Sequence, residues 1–310
     1  MRIVSLMTLA LAFVVVVVGA YVRLSDAGLG CPDWPLCYGQ PVPRDIADRD
    51  ALAKAWKEMG HRYLAGALGL LIFSLTIMAW RLGRSKWTAT GLLALVIFQA
   101  TLGAWTVTML LKPAIVTAHL LGGMAIVALL AWLVLAQFPA PVGFSELRFP
   151  AAIALATVAV QIALGGWVSS NYAALACPDL PLCLGEVLPP MDFGNAFHVL
   201  RELGHNSQGD FLSREALTAI HWTHRVFGLV VVAVVGWAVF RTLEVSKILA
   251  ALTGALLVLQ FSLGVANVLV SRPLALAAAH NAGAAVLLVA LVVLNFFALR
   301  GLRAAPHSPK

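Results

Sequence analysis

The sequence predicts an all-α integral membrane protein whose eight transmembrane helices form a duplicated four-helix bundle. Three observations lead to this fold class: the composition, a series of long apolar segments, and an internal repeat. Of the 310 residues, 61% are hydrophobic and 11% are charged. A water-soluble domain of this length needs a far larger share of polar surface, so the composition is that of a membrane protein.

Eight apolar segments are long enough to cross the hydrocarbon layer of a bilayer as helices. No small-residue cleavage site follows the first segment, so we interpret it as a helix and not as a removed signal peptide. The predicted spans are residues 3–22, 59–80, 87–110, 114–137, 149–169, 217–240, 246–270 and 274–299.

The charges predict how these helices are oriented. The net charge is +7, and basic residues such as Arg81, Arg84 and Lys247 dominate the connections on one side of the predicted bundle. Positively charged connections stay in the cytoplasm, so we predict cytoplasmic termini in a bacterial-type inner (plasma) membrane. The basic balance is then a signal of topology, and we predict no nucleic-acid partner.

The four cysteines bracket two similar loops on the predicted outer face. CPDWPLC occupies residues 31–37, and CPDLPLC occupies residues 177–183. Because the outer compartment is oxidising, we predict two local disulfides, Cys31–Cys37 and Cys177–Cys183.

These loops belong to a longer repeat. Each half has an even number of predicted helices, so the two halves share one orientation about an axis along the membrane normal. We predict an N-terminal half at 1–138, a cytoplasmic linker at 139–148, a C-terminal half at 149–300 and a cytoplasmic tail at 301–310. The matched blocks begin at Gly19 and Gly165, and they continue as EMGHR (58–62) with HWTHR (221–225), QATLGAW (99–105) with QFSLGVA (260–266), Lys112-Pro113 with Arg272-Pro273, and AHLLGG (118–123) with AHNAGA (279–284).

Four histidines occupy related positions in the repeat: His61 matches His224, and His119 matches His280. In each half one histidine is predicted to open the second helix, and the other lies about a turn and a half into the fourth. Both imidazoles therefore lie at similar depth beneath a Cys loop. Ionisable residues inside membranes are costly and usually functional, so two symmetric pairs favour metal or haem ligation over histidines hydrogen-bonded in the core.

The residue types around these pairs favour haem over zinc. Zinc is usually bound with Cys or carboxylate ligands, and the cysteines lie in the loops. Two imidazoles on opposite faces of a flat macrocycle suit a bis-His haem. Glycines such as Gly66, Gly69, Gly122 and Gly123 either leave room for a ring or serve ordinary close packing of helices.

The neighbours of these histidines leave several alternatives open. Arg62 and Arg225 follow the first histidine of each half, and they either reach haem propionates or extend to lipid headgroups. Glu58 has His221 as its counterpart. A carboxylate beside one site alone indicates that this site performs chemistry, although an interfacial Glu is also favoured at a helix N-terminus. His221 competes with His224 as a ligand, and the alignment with His61 favours His224.

The combination of these motifs resembles the haem A synthase family over residues 3–300. The resemblance implies that His224 and His280 hold a permanent haem b, and that His61 and His119 flank the substrate, haem o. It makes Glu58 the essential carboxylate. It also implies that Cys31–Cys37 takes part in activity as a redox pair, whereas Cys177–Cys183 is structural.

The reaction that the resemblance implies is the oxidation of the C8 methyl group of haem o to a formyl group, in haem biosynthesis for cytochrome oxidase. Two hydroxylations give a geminal diol, which loses water, and haem b carries the electrons. The implied partners are a haem o synthase (a farnesyltransferase) and cytochrome oxidase assembly factors. The sequence leaves open the electron donor and the oligomeric state. A homo-oligomer is one of the alternatives.

The main alternative is a di-haem b membrane cytochrome that only transfers electrons, for example with quinone. It uses the same histidines but gives Glu58 and the Cys loops no task. A thiol–disulfide oxidoreductase ranks lower because such enzymes usually carry C-x-x-C. A transporter ranks lower because Pro113 and Pro273 fall at helix ends and not at mid-membrane.

Overall fold

The computed structural model describes residues 1–44, 46–138, 143–206 and 208–300. Eight of the helices in these residues are long and apolar enough to cross a membrane, which confirms the predicted fold class. A four-residue helix and two short 3₁₀ turns, Ser145–Leu147 and Ala173–Leu175, complete the helical structure described. The α-helices are α1 Arg2–Leu24, α2 Arg49–Arg81, α3 Lys86–Thr108, α4 Pro113–Leu135, α5 Arg148–Ser170, α6 Phe193–Ala196, α7 Arg214–Leu243, α8 Lys247–Leu269 and α9 Leu274–Arg300.

Two of the predicted helix starts are wrong. Helix α2 begins at Arg49, where the Asp48 side chain accepts a hydrogen bond from the Asp50 backbone N–H. Helix α7 begins at Arg214 after a similar cap by Ser213. The first turns are polar, so hydropathy did not detect them, although N-capping and good helix formers extend the helix through them. His61 and His224 therefore lie about three turns into their helices instead of opening them.

The long helices pack as two closed rings of four. In the first ring α1 contacts α2, α2 contacts α3, α3 contacts α4, and α4 returns to α1. In the second ring α5, α7, α8 and α9 contact one another in the same order. The rings meet where α1 and α4 contact α9 and where α4 contacts α5. This arrangement agrees with the duplication that the sequence repeat predicts.

The two largest packed cores lie toward one end of the bundle. We call the other end, which carries the Cys loops and the turns at 109–112 and 270–273, the loop end. The first ring is filled by side chains such as Ile72, Leu92 and Leu130. The second is filled by side chains such as Val235 and Leu291. Because these residues lie toward the end away from the Cys loops, the space between the helices is left at the loop end.

Some of the predicted organisation lies outside the described residues. This holds for residues 139–142 of the predicted linker and for the whole predicted tail, 301–310. The described end of the linker is anchored on the second half, where the Phe144 backbone N–H donates to the Phe297 carbonyl at 3.2 Å. The division into functional halves stays a prediction.

Candidate functional site

A single cavity of about 1310 Å³ at the loop end brings together the residues that the sequence analysis selected. It extends through both halves of the bundle, and its wall is largely apolar. The wall includes all four repeat-related histidines together with their charged neighbours: His61, His119, His224, His280, Glu58, Arg62, His221 and Arg225.

Each of the four histidines packs against a glycine of the neighbouring helix. A Cβ atom added to any of these glycines would crowd the imidazole, so glycine is needed for the observed approach. The sequence analysis missed these contacts, although all four glycines stand in the aligned repeat blocks. From the added Cβ to the imidazole Cε1, the distances are 2.8 Å for Gly19 and His61, 3.3 Å for Gly103 and His119, 3.1 Å for Gly165 and His224, and 3.1 Å for Gly264 and His280.

Glutamines support three of these histidines from the helix that carries the facing glycine. Each glutamine stands four residues, about one helical turn, before that glycine. The remaining histidine, His61, faces helix α1. That helix has Val15 at this position, and valine has no amide to donate. The contacts are Gln99 Nε2 to the His119 carbonyl at 3.0 Å, Gln161 Nε2 to the His224 carbonyl at 3.0 Å, and Gln260 Nε2 to His280 Nδ1 at 3.3 Å.

The histidine pairs fit a haem better than a bare metal ion. In the part of the chain that the structure describes, Nδ1 of His61, His119 and His224 is buried without a hydrogen-bond partner. No group of three or more His, Cys, Asp or Glu residues within that part could hold a metal ion alone. An iron bound by two imidazoles would need further ligands, and the four nitrogens of a porphyrin supply them. The apolar wall suits such a macrocycle.

Glu58 is held between a Cys loop and an arginine. The residue is only 5% exposed. One carboxylate oxygen accepts a hydrogen bond from the Cys31 backbone N–H at 2.9 Å. The other forms an ion pair with Arg62, one turn further along α2. The carboxylate therefore lines the cavity beside His61 in a fixed position, with its charge balanced.

His221 makes the equivalent contact in the second half. It is also 5% exposed, and its Nδ1 accepts a hydrogen bond from the Cys177 backbone N–H at 3.2 Å. One ring nitrogen of His221 is thus engaged by the loop. His224 instead packs its ring against Gly165, as the other three repeat-related histidines do against their glycines. This similarity favours His224 over His221 as the ligand in this half.

The two arginines bind the Cys loops, which neither predicted role included. Arg62 Nη1 donates to the carbonyls of Asp33 and Leu36, at 3.1 and 2.8 Å. Arg225 Nη2 donates to the Leu182 carbonyl at 2.9 Å. Each guanidinium therefore fixes a loop over the cavity. Arg225 differs in that its Nη1 is buried without a partner among the described residues.

The Cys loops share their own internal structure. Cys31–Cys37 and Cys177–Cys183 are disulfide-bonded, as predicted. In the second loop the Asp179 carboxylate accepts hydrogen bonds from the backbone N–H groups of Leu184 and Gly185, at 2.7 and 2.8 Å. These hydrogen bonds, of which the one from the Gly185 N–H has the largest effect, hold the pKa of Asp179 below its usual range. In the first loop Asp33 receives the same pair of bonds, from Tyr38 and Gly39.

Comparison with known proteins places the chain in a family. A family model described as "Cytochrome oxidase assembly protein" (COX15-CtaA) matches residues 2–292. The chain belongs to this family. This result confirms the resemblance that the motifs indicated.

Relatives of this family member carry a shared name. A protein named "Heme A synthase" from Shewanella oneidensis is 39% identical over 310 aligned residues, which cover 94% of each chain. Another of that name, from Methylobacterium radiotolerans, is 31% identical over 316 residues, covering 88% of this chain and 83% of the relative. One from Halalkalibacterium halodurans is 27% identical over 281 residues, covering 86% of each.

One further cavity residue was missed by sequence reasoning. Arg23 of α1 donates from Nη2 to the Ser169 carbonyl of α5 at 2.8 Å. Its guanidinium also lies 4.0 Å from the centre of the Tyr172 ring. Arg23 and Ser169 are counterparts in the repeat, so this contact joins the two halves at the cavity wall. The sequence offered one signal for this pair: the two positions are 146 residues apart, which is the offset of the repeat.

Proposed function

We propose that this membrane protein is a haem A synthase that oxidises the C8 methyl group of haem o to a formyl group. The observation that carries the proposal is the buried Glu58 beside His61, in a half whose histidines pack against glycines as those of its partner do. Two sites that only carry electrons need no such difference. The family and the shared name of the relatives support haem A synthesis.

In this proposal the two halves divide the work. His61 and His119 flank haem o in the N-terminal half, 1–138, and His224 and His280 hold haem b in the C-terminal half, 149–300. When bound, haem b supplies one-electron transfer, which the oxidation of a methyl group requires. The four glycine contacts support similar seats for a flat ring in both halves.

Glu58 is the acid–base group in the first half. Its carboxylate is fixed by Arg62 and by the Cys31 N–H, so it needs no reorganisation when charge develops on the substrate. A carboxylate in this position accepts the proton released at the methyl carbon or stabilises a developing positive charge there. Each of two hydroxylations takes one oxygen atom from O2, consumes two electrons and two protons, and releases one water. The geminal diol then loses water to leave the formyl group.

The two disulfides have different roles in this proposal. Cys31–Cys37 passes reducing equivalents, and its backbone contact with Glu58 supports a link to the reacting site. Cys177–Cys183 holds the second loop in place over the cavity, where haem b would bind. The loop end faces the outer compartment, and both termini are cytoplasmic, since the basic connections lie at the opposite end. A haem o synthase and cytochrome oxidase assembly factors are the partners we propose.

Expression in a bacterial host that makes haem o but no haem A tests the function. Pigments extracted from the membranes should contain haem A when the wild-type chain is present. Glu58→Ala should abolish conversion while the absorbance of the second-half haem stays unchanged. If the wild-type protein accumulates both haems without forming haem A, it is instead a di-haem cytochrome.

A further inference from the structure

Two cationic side chains at the loop end form ion pairs in the first half, and their counterparts in the second half do not. In the first half Arg62 pairs with Glu58, and Lys112 pairs with Glu202 at 2.7 Å. Their counterparts in the repeat are Arg225 and Arg272, which both line the cavity. Among the described residues, neither has a carboxylate within ion-pair distance.

Arg225 has a donor that the fold does not use. Its Nη2 is bonded to the Cys loop, but its Nη1 is buried without a partner in the described part of the chain. An unsatisfied buried donor is costly, and more so when it is charged. The first half has no such unsatisfied guanidinium nitrogen at Arg62, because Nη1 binds the loop and Nη2 binds Glu58.

His221 offers a second donor on the same helix face. Because Nδ1 accepts a hydrogen bond from the Cys177 N–H, a neutral His221 carries its proton on Nε2. That N–H has no hydrogen-bond partner within the described residues, and His221 lines the cavity. The spacing of three and four residues places His221, His224 and Arg225 on neighbouring positions of α7. A buried histidine and a half-buried arginine, whose Nη1 is itself buried, thus lie beside the proposed iron ligand.

We propose that His221, Arg225 and Arg272 form a carboxylate site that binds a propionate of the haem in the second half. In the first half the carboxylate of Glu58 occupies the equivalent place, so the protein itself satisfies Arg62. The second-half haem is therefore anchored by charge and stays bound. The first-half haem lacks this anchor and exchanges, as a substrate must. This inference deepens the proposed function by explaining which haem is retained.

Haem binding to haem-depleted wild-type protein tests the carboxylate site directly. The probes are haem b and its dimethyl ester, whose propionates cannot ionise. The free acid should bind the second half about tenfold more tightly than the ester, as expected for one charge-assisted hydrogen-bonded pair. Equal binding of both probes overturns the proposal. A loss of binding when anionic lipid is added would assign the site to a lipid phosphate and would also overturn it.

Variants of His221 distinguish its role as a hydrogen-bond donor to the ligand from its role in holding the second Cys loop. His221→Phe should remove most of the preference for the free acid, whereas His221→Gln should keep it, since an amide can accept from Cys177 and still donate. Formation of the Cys177–Cys183 disulfide, measured by thiol labelling, reports whether the loop has kept its structure. If the Phe variant folds and retains the full preference, His221 is not part of the site.

The first half provides the reciprocal experiment. Glu58→His installs the second-half arrangement and releases Arg62, so the purified protein should carry more haem per polypeptide than the wild type. If the haem content is unchanged, the ion pair of Arg62 with Glu58 does not explain why the first-half haem exchanges. Haem content is independent of turnover, and haem A formation by the wild type tests the function separately. The proposed function can therefore stand if this inference fails.

Discussion

Glu58 and His221 make the same hydrogen bond in the two halves: each accepts the backbone N–H of the first cysteine of its loop, at 2.9 and 3.2 Å. A carboxylate and an imidazole thus serve one structural purpose at equivalent positions. They differ in charge, because only Glu58 can neutralise the neighbouring arginine. The structural role and the chemical role of Glu58 can be separated by substitution.

Replacing Glu58 with Gln should remove activity but keep the loop. The amide oxygen can still accept the Cys31 N–H, while the negative charge is lost, so haem A formation should fall about 100-fold or more. Glu58→Ala should lose the hydrogen bond as well, and the Cys31–Cys37 loop should become more open to proteolysis. Haem A yield and limited proteolysis measure the two effects. An active Gln variant would show that the charge is not required.

The glycines that face the imidazoles should be sensitive to any larger side chain. Gly165→Val should displace the His224 ring, because a Cβ already comes within 3.1 Å of it. The second-half haem should then be lost or change its spin state in the absorbance spectrum. Gly236→Val is the matched control on α7, since a Cβ there meets no atom within 4 Å. Equal spectra from the two variants would contradict the packing argument.

The two disulfides should give different phenotypes. Cys31→Ser should reduce haem A formation while the second-half haem spectrum remains. Cys177→Ser should lower the free energy of unfolding by roughly 2 kcal/mol, the low end for a short disulfide loop. Activity assays and thermal melts of the purified variants distinguish these outcomes. Identical losses of activity in both variants would remove the distinction between a redox pair and a structural pair.

Arg23 should contribute to the junction between the halves. Arg23→Met removes the donor to the Ser169 carbonyl and the contact with Tyr172, so the unfolding free energy should fall by about 1–3 kcal/mol. Arg81→Met, at the exposed end of α2, is the control and should have little effect. Melting temperatures of the two variants measure the difference. Equal stability would mean that other contacts hold the halves together.

The second Cys loop should loosen in acid. The hydrogen bond from the Gly185 N–H favours ionised Asp179 and lowers its pKa in the folded state. The resulting stabilisation is present above the usual Asp pKa of about 4 and is lost as the pH falls through the lower folded value. Hydrogen exchange at Leu184 and Gly185 should therefore accelerate at low pH relative to the intrinsic rate. Asp179→Asn should remove the dependence.

Hydropathy located the membrane helices well because the cost of exposing polar backbone and side chains to lipid acts on each segment separately. It missed the first turns of α2 and α7, which are polar and are stabilised by the Asp48 and Ser213 caps. The repeat gave the histidine pairs, because duplication keeps functional positions recognisable even between diverged halves. The facing glycines were present in the same alignment but could not be paired with histidines before the helix contacts were known.

The sequence by itself determined that this chain is a membrane bundle of eight helices, with two disulfide loops and four histidines at related positions of a repeat. These properties follow from composition, spacing and periodicity along a single chain. Only the tertiary structure decided that Glu58 is bound to Cys31, that Arg62 is neutralised, and that Arg225 keeps an unused donor. Such contacts join residues distant in sequence, and their energy depends on which groups burial brings together and leaves without water.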